Sequence, residues 1–174
     1  MDYKTKKMSR KTARMLAGIL RKIFEVDPGG AFPILDVLEK IPDKFENSNY
    51  EVVDDDKLDI NNPARCFQNA AGGFTIQIKE SVYDGAYRYY TGAYRDHITH
   101  ELCHVFLFSI GYTPVMDRSF NDNELKAYES VEWQAKAVCG EVMMPYEETK
   151  GMIPYEIMAK YGVSSAQAKY RQKY

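Results

Sequence analysis

The sequence predicts an α+β fold, a small antiparallel sheet packed with helices. Three observations predict it. Strand-like alternation is confined to the middle of the chain, helical periodicity holds at both ends, and no repeat or low-complexity linker divides them. At 174 residues the chain is long enough for one domain and short for two. A chain of this size buries roughly 70% of the surface its unfolded form exposes, so one core forms without disulfide support. The expected layout is a single domain over residues 1–174, with an N-terminal helical part at about 9–42, a core at about 50–145 and a C-terminal helical tail at about 146–174.

From Ser9 to Val26 the apolar residues Met15, Leu16, Ile19, Leu20, Ile23 and Phe24 recur at helical spacing, and Asp27-Pro28-Gly29-Gly30 stops the helix. A second helix is expected from Pro33 to Ile41, ending at Pro42, because proline lacks the N–H that a helix interior needs. Tyr50 to Val53 reads as a short strand, and Asp54-Asp55-Asp56 after it as a solvated turn. Arg65 to Asn69 and Phe74 to Lys79 flank Ala70-Ala71-Gly72-Gly73, a hairpin signature. In the second arm Phe74, Ile76 and Ile78 alternate with Thr75, Gln77 and Lys79, which predicts one buried face and one wet face. Tyr83 to Tyr94 reads as a Tyr- and Gly-rich loop. Helical spacing returns from about Arg95 to Phe108 and from about Asn123 to Met143, before Pro145 breaks it. Short helices are expected around Tyr155 to Tyr161 and Ser164 to Gln172.

Composition narrows the function classes. Apolar residues make up 45% and charged residues 28%, which excludes a disordered or fibrous chain. A formal charge of −2 argues against direct nucleic-acid binding by bulk electrostatics. The basic residues Lys4, Lys6, Lys7, Arg10, Lys11 and Arg14, and the tail Lys169, Arg171 and Lys173, are expected to be solvated ends. The longest uninterrupted apolar stretch, Val105 to Phe108, is far below a membrane span, and Met15 to Leu20 is too short and amphipathic for a signal peptide. Cys66, Cys103 and Cys139 are odd in number and widely spaced, so reduced thiols and a cytoplasmic location are expected.

The chemistry concentrates in one stretch. All three histidines, His97, His100 and His104, fall between positions 97 and 104. Two of them form His100-Glu101-Leu102-Cys103-His104, an H-E-x-x-H. Residues four apart share a helix face about 6 Å apart along the axis, so both imidazoles can meet one metal ion. Glu101, next to the first ligand and turned partly away, can reach a water on that ion as a general base. Leu102, Val105, Phe106 and Phe108 mark a buried helix, in which an unligated His and Glu would be costly.

A catalytic ion of this kind needs a third protein ligand and one open position. Ile110 stands six residues after His104, so a third histidine at that spacing is excluded. His97 is two turns, about 10 Å, from His104, which strains a single tetrahedral site on one straight helix. The remaining candidates are Asp117, Asp122, Glu124, Glu129, Glu132 and Glu141. Glu132 has the best context, on one helix face with the small residues Ala135 and Cys139, and Glu129 is its main rival. His97 reads as a core or surface histidine rather than a partner of Glu101. Tyr87, Tyr89, Tyr90 and Tyr94 could each offer a hydroxyl to a developing oxyanion, with loop packing as their default role. Cys103 and Cys139 read as small apolar fillers.

Glu132-Trp133-Gln134-Ala135, followed by Met143-Met144-Pro145, closely resembles the second signature of the ImmA/IrrE-like zinc metallopeptidases, a Glu-x-x-Ala stretch on a helix that runs into a Leu-Met-Pro ending. Val82-Tyr83-Asp84-Gly85-Ala86, Arg95 and His100-Glu101-Leu102-Cys103-His104 resemble the first signature, and Tyr161-Gly162-Val163-Ser164-Ser165 the usual ending. The resemblance spans roughly Phe74 to Arg171. It implies a zincin-like active-site helix carrying HExxH, Zn2+ on His100, His104 and Glu132, and Glu101 as the catalytic base. Cys103, His97, Lys136 and Cys139 depart from the residues usual at their positions, and none of these departures removes a ligand.

The resemblance further implies a zinc-dependent endopeptidase acting on protein or peptide substrates. Family members whose role is understood tend to cleave a helix-turn-helix repressor, which releases genes of a mobile element or a stress response. The strand Phe74 to Lys79, if it borders the cleft, is expected to bind substrate as an added strand. Two rivals share the ligand set. A non-haem iron oxygenase also uses two His and a carboxylate, but gives a Glu inside the His pair no task. A zinc-binding, catalytically weak module that holds a partner would look identical at the ligands.

Overall fold

A computed structural model describes residues 2–115 and 125–174. Among those residues the α+β expectation is met by eight helices and a three-stranded sheet. Helix α1 (Arg10–Ile23) starts where the Ser9 side chain accepts a hydrogen bond from the Thr12 N–H, satisfying a free donor of the first turn. It buries Ala13, Leu16, Ala17 and Leu20, while Met15 and Ile19 lie outside that stripe and are exposed. The helix ends at Ile23, and Glu25 turns the chain at positive φ. Helix α2 (Ile34–Lys44) does not stop before Pro42. Proline sits in its last turn, where the loss of one N–H bond is tolerated, and the Phe45 N–H still reaches the Ile41 carbonyl.

Strands β1 (Asn49–Val53), β2 (Ala64–Gln68) and β3 (Phe74–Lys79) form a sheet in the order β1-β3-β2. The predicted hairpin is present, β2 running antiparallel to β3 with Cys66 opposite Ile76. The sheet is nevertheless mixed rather than antiparallel throughout, because β1 joins β3 in parallel with Tyr50 opposite Ile76. The hairpin occupies one edge of β3, and residues 54–63, with a 3-10 turn at Asp55–Lys57, return the chain so that β1 pairs on the other edge. The acidic run lies in that turn with no buried residue, as expected, and Asp55 accepts a hydrogen bond from the Ser81 N–H at 3.0 Å.

Being central, β3 has no fully wet face. Thr75 is buried and donates to Asn49 at 2.8 Å, and Lys79 is buried with its amino group on the Asp59 carbonyl at 2.8 Å.

The expected loop from Tyr83 to Tyr94 is mostly helix. Helix α3 (Glu80–Arg88) buries Val82 and Ala86, four apart, and Gly85 lets the Tyr94 ring lie against its backbone. Tyr83 stacks on both Tyr50 and Tyr87 along the other face. The long helix α4 (Gly92–Ser109) follows almost at once and buries Ile98, Leu102, His104, Val105 and Phe106. Helix α5 (Val131–Met143) begins later than expected, after a 3-10 turn at Ala127–Glu129, because Ser130 caps it by accepting from the Trp133 N–H at 2.9 Å. The expected start at Asn123 lies outside the described residues. Three short helices close the chain, α6 (Tyr146–Thr149), α7 (Pro154–Tyr161) and α8 (Ser165–Lys173).

Three buried arginines position α4 and α5. Arg95, on α4, donates to the carbonyls of Phe32 at 2.6 Å and Gly162 at 3.0 Å, and burial lowers its pKa. Gly162 ends α7 at φ 63°, and a Cβ there would press on the Arg95 guanidinium and the Tyr90 ring, so the position needs glycine twice over. Arg21, on α1, donates to the Val142 carbonyl at 2.8 Å near the end of α5, with its pKa lowered by burial to about 10. Arg171 makes two 2.8 Å contacts with the buried Glu141, which ties α8 to α5. Among the described residues no helix is long and apolar enough to cross a membrane.

Candidate metal centre

The site is built on α4 because that helix is buried on most sides while one short arc stays open. His100 and His104 sit one turn apart on that arc, with their Nε2 atoms 3.0 Å from each other. Helix α5 packs across it, and the seam explains how. Ala135 and Cys139 are small and buried, and the Cys139 thiol donates to the Asp96 carboxylate of α4 at 3.4 Å. That approach brings Glu132, in the first turn of α5, over the histidines. Its Oε2 lies 3.2 Å from His100 Nε2 and its Oε1 lies 3.2 Å from His104 Nε2.

A residue far away in the chain fixes the start of α5. Asp2 accepts from the Glu132 N–H at 3.1 Å and from the Ser130 hydroxyl, so the turn carrying Glu132 is capped by both Ser130 and Asp2. The N-terminal arm is held there by the backbone pairs Thr5 N–H to Glu129 carbonyl at 2.7 Å and Val131 N–H to Tyr3 carbonyl at 3.0 Å.

The donor set suits a divalent ion. Bonds of roughly 2 Å at tetrahedral angles place ligand atoms about 3.3 Å apart, close to the spacing here. One atom from each of His100, His104 and Glu132 lies within 4.8 Å of the other two. His104 is buried, and its Nδ1 has no hydrogen-bond partner among the described residues, so its Nε2 is the nitrogen that carries its polar interactions. The Glu132 side chain is 46% exposed, which leaves the cluster open on one side for water or substrate. Hydrogen bonds from His100 and then His104 hold the Glu132 carboxyl well below the usual carboxylate range, so it is ionised as a ligand must be.

Glu101 is outside the cluster but faces the same cleft. A depression of about 510 Å³ is lined by Glu101, His104 and Glu132 together with Cys66 of β2 and Asp2 and Tyr3 of the N-terminal arm. Burial pushes the Glu101 carboxyl up from its ordinary value, opposed by His104 and His100, which makes it a stronger base than an exposed glutamate. Burial, and then the Glu101 charge, push the neighbouring Cys66 thiol up, so a protonated thiol lies beside that carboxylate.

The other sequence candidates fall elsewhere. Glu129 faces Lys4 at 4.0 Å, and Glu141 is paired with Arg171. Asp117, Asp122 and Glu124 lie outside the described residues. His97 is exposed and is not among the clustered donors. None of Tyr87, Tyr89, Tyr90 and Tyr94 lines the cleft; Tyr3 does. Cys103 and Cys139 are buried fillers, the Cys139 thiol being raised well above its ordinary value by its contact with Cys103 and by burial. The strand at the cleft is β2 rather than β3, because β3 is paired on both edges while β2 is the sheet margin that contributes Ala64, Arg65 and Cys66 to the cleft wall.

The sequence pattern left three cleft residues unmarked. Cys66 was readable in part, since hairpin register puts it on the same face as Ala64. Asp2 and Tyr3 act across more than a hundred residues and leave no local signal.

A His-Glu-x-x-His helix joined by a glutamate from a second helix is the donor arrangement that metallopeptidases use. Residues 92–173 match the model of the Peptidase M78 family, the IrrE N-terminal-like domain. Over that stretch, from α4 to α8, the chain is similar to this family. No curated protein matches the chain.

Proposed function

We propose that the protein is a zinc-dependent endopeptidase in which His100, His104 and Glu132 hold Zn2+ and Glu101 is the catalytic base, with residues 1–174 working as one domain. The observation that carries this reading is the meeting of three donor side chains from two helices, with Glu101 beside them in an open cleft. Zinc bound there would lower the pKa of a coordinated water to about 7 and polarise the substrate carbonyl.

The chain's own residues do the rest. Glu101 takes the proton from the attacking water and passes it to the leaving amine, a transfer favoured by a carboxylate whose burial has made it more basic. The outer edge of β2, unpaired among the described residues, offers backbone groups to an extended substrate segment, which orients the scissile bond over the cluster. Such binding selects locally unfolded or flexible segments.

On the family resemblance, we place this activity in the cytoplasm as a regulatory one. The substrate would be a helix-turn-helix repressor, cut once or a few times, and release of mobile-element or stress-response genes would follow. Incubation with zinc and the repressor encoded nearest its gene should give discrete fragments, while casein should remain nearly intact. Efficient, unselective casein digestion would contradict the regulatory role and leave the zinc chemistry standing.

A further inference from the structure

A second depression, of about 520 Å³, shares no lining residue with the β2 cleft and has His100 in its wall. It lies between α4, α5 and α8. His97 and His100 come from α4, Trp133 and Gly140 from α5, and Tyr170 from α8, with Met144 just past the end of α5. Positions 133, 137 and 140 recur at helical spacing and form one stripe along α5, which Met144 extends past the helix end. The lining is largely apolar, with Asp96 and Lys136 the charged side chains that reach it.

Gly140 gives the groove a meaning. A glycine inside a helix costs about 1 kcal/mol relative to alanine. Packing does not require it here, since a Cβ at position 140 would meet no atom within 4 Å. Its φ is not in the left-handed region either. What the missing side chain leaves is volume in the groove, whose wall also includes His100 of the metal cluster.

We infer that this groove receives a bulky apolar side chain of the substrate at a position flanking the scissile bond, and that Gly140 sets its depth. The inference rests on the reading of His100 as a metal ligand, because His100 lines the groove while its cluster partners His104 and Glu132 line the β2 cleft. A substrate segment lying along β2 and crossing the cluster leaves the cleft on the His100 side, where the groove is the apolar surface it meets. The class of substrate that fits has Leu, Met or Phe beside the cut rather than Gly, Ala or a charged residue.

Trp133 is the chain's only tryptophan, so its fluorescence reports occupancy of the groove without requiring metal or cleavage. Titration with N-acetyl-leucine amide should give a saturable change in Trp133 emission, at least about tenfold tighter than N-acetyl-alanine amide, in line with the discrimination that apolar pockets achieve. Gly140→Leu, which fills the groove from α5, and Ala166→Leu, which fills it from the exposed face of α8, should each abolish that difference. In a mixed-sequence peptide library, the wild type should favour Leu, Met or Phe at one position flanking the cut, and both variants should shift toward Ala and Gly.

An equal or absent Trp133 response to the two amides overturns the inference, as does a leucine preference that survives in both variants. A leucine-selective response without any cleavage upholds the groove and counts against the peptidase reading. Cleavage without apolar preference does the reverse.

Discussion

Glu101→Gln is expected to keep the metal and lose the chemistry. Glutamine preserves the shape and hydrogen-bonding reach of the side chain but cannot accept the proton of the attacking water. Glu101 is not one of the clustered donors, so the ion should stay at full occupancy. It faces the same cleft as His104 and Glu132, and its burial has tuned it toward a stronger base. The expected loss in kcat/KM is about 10²–10⁴-fold, the usual contribution of general base catalysis. Metal analysis alongside cleavage rates checks both halves. Cleavage at the wild-type rate would remove Glu101 from the mechanism, and loss of metal would mean that it is a ligand.

The second large effect distinguishes two glutamates one turn apart. Glu132→Ala should weaken metal binding by more than about 100-fold, since even an outer partner of a metal ligand costs 10- to 100-fold when removed. Glu129→Ala should leave affinity close to the wild-type value. The physical reason is orientation. Both Glu132 oxygens are 3.2 Å from a histidine nitrogen, whereas the Glu129 carboxylate faces Lys4 at 4.0 Å. Titration with a competing chelator measures both variants. A reversed outcome would move the third ligand back along the chain and break the match of Glu132-Trp133-Gln134-Ala135 with the family signature.

The parts of this picture that were legible in the sequence are the local ones. His100, Glu101 and His104 share a little over one helical turn, so their spacing already places them together. Glu132 could be singled out because Ala135 and Cys139 advertise a close helix seam, and the family resemblance then separated it from Glu129. The hairpin around Gly72 and the stripe of α1 were readable for the same reason, since each is fixed within a few residues.

What escaped was long-range or disguised. Helix α3 was hidden because Gly85 and its tyrosines look like loop composition, yet Tyr83 and Tyr87 are four apart and stack on one face. The parallel pairing of β1 with β3, which leaves β2 as the outer strand at the cleft among the described residues, depends on how residues 54–63 return and carries no local mark. Pro42 stayed inside α2 because a last turn tolerates the lost N–H, a position that the residue type alone does not reveal. Asp2 capping the turn of Glu132 couples residues 130 apart, beyond the reach of any periodicity.

The most direct test of the metal centre is the metal content of the purified protein, measured beside the His100→Ala variant. His100 contributes one of three donors that lie within 4.8 Å of one another, and its removal leaves His104 and Glu132 without a third partner. One zinc per chain in the wild type, lost in the variant, is the expected result. Iron in the wild type, no metal at all, or zinc retained in full by His100→Ala would contradict it.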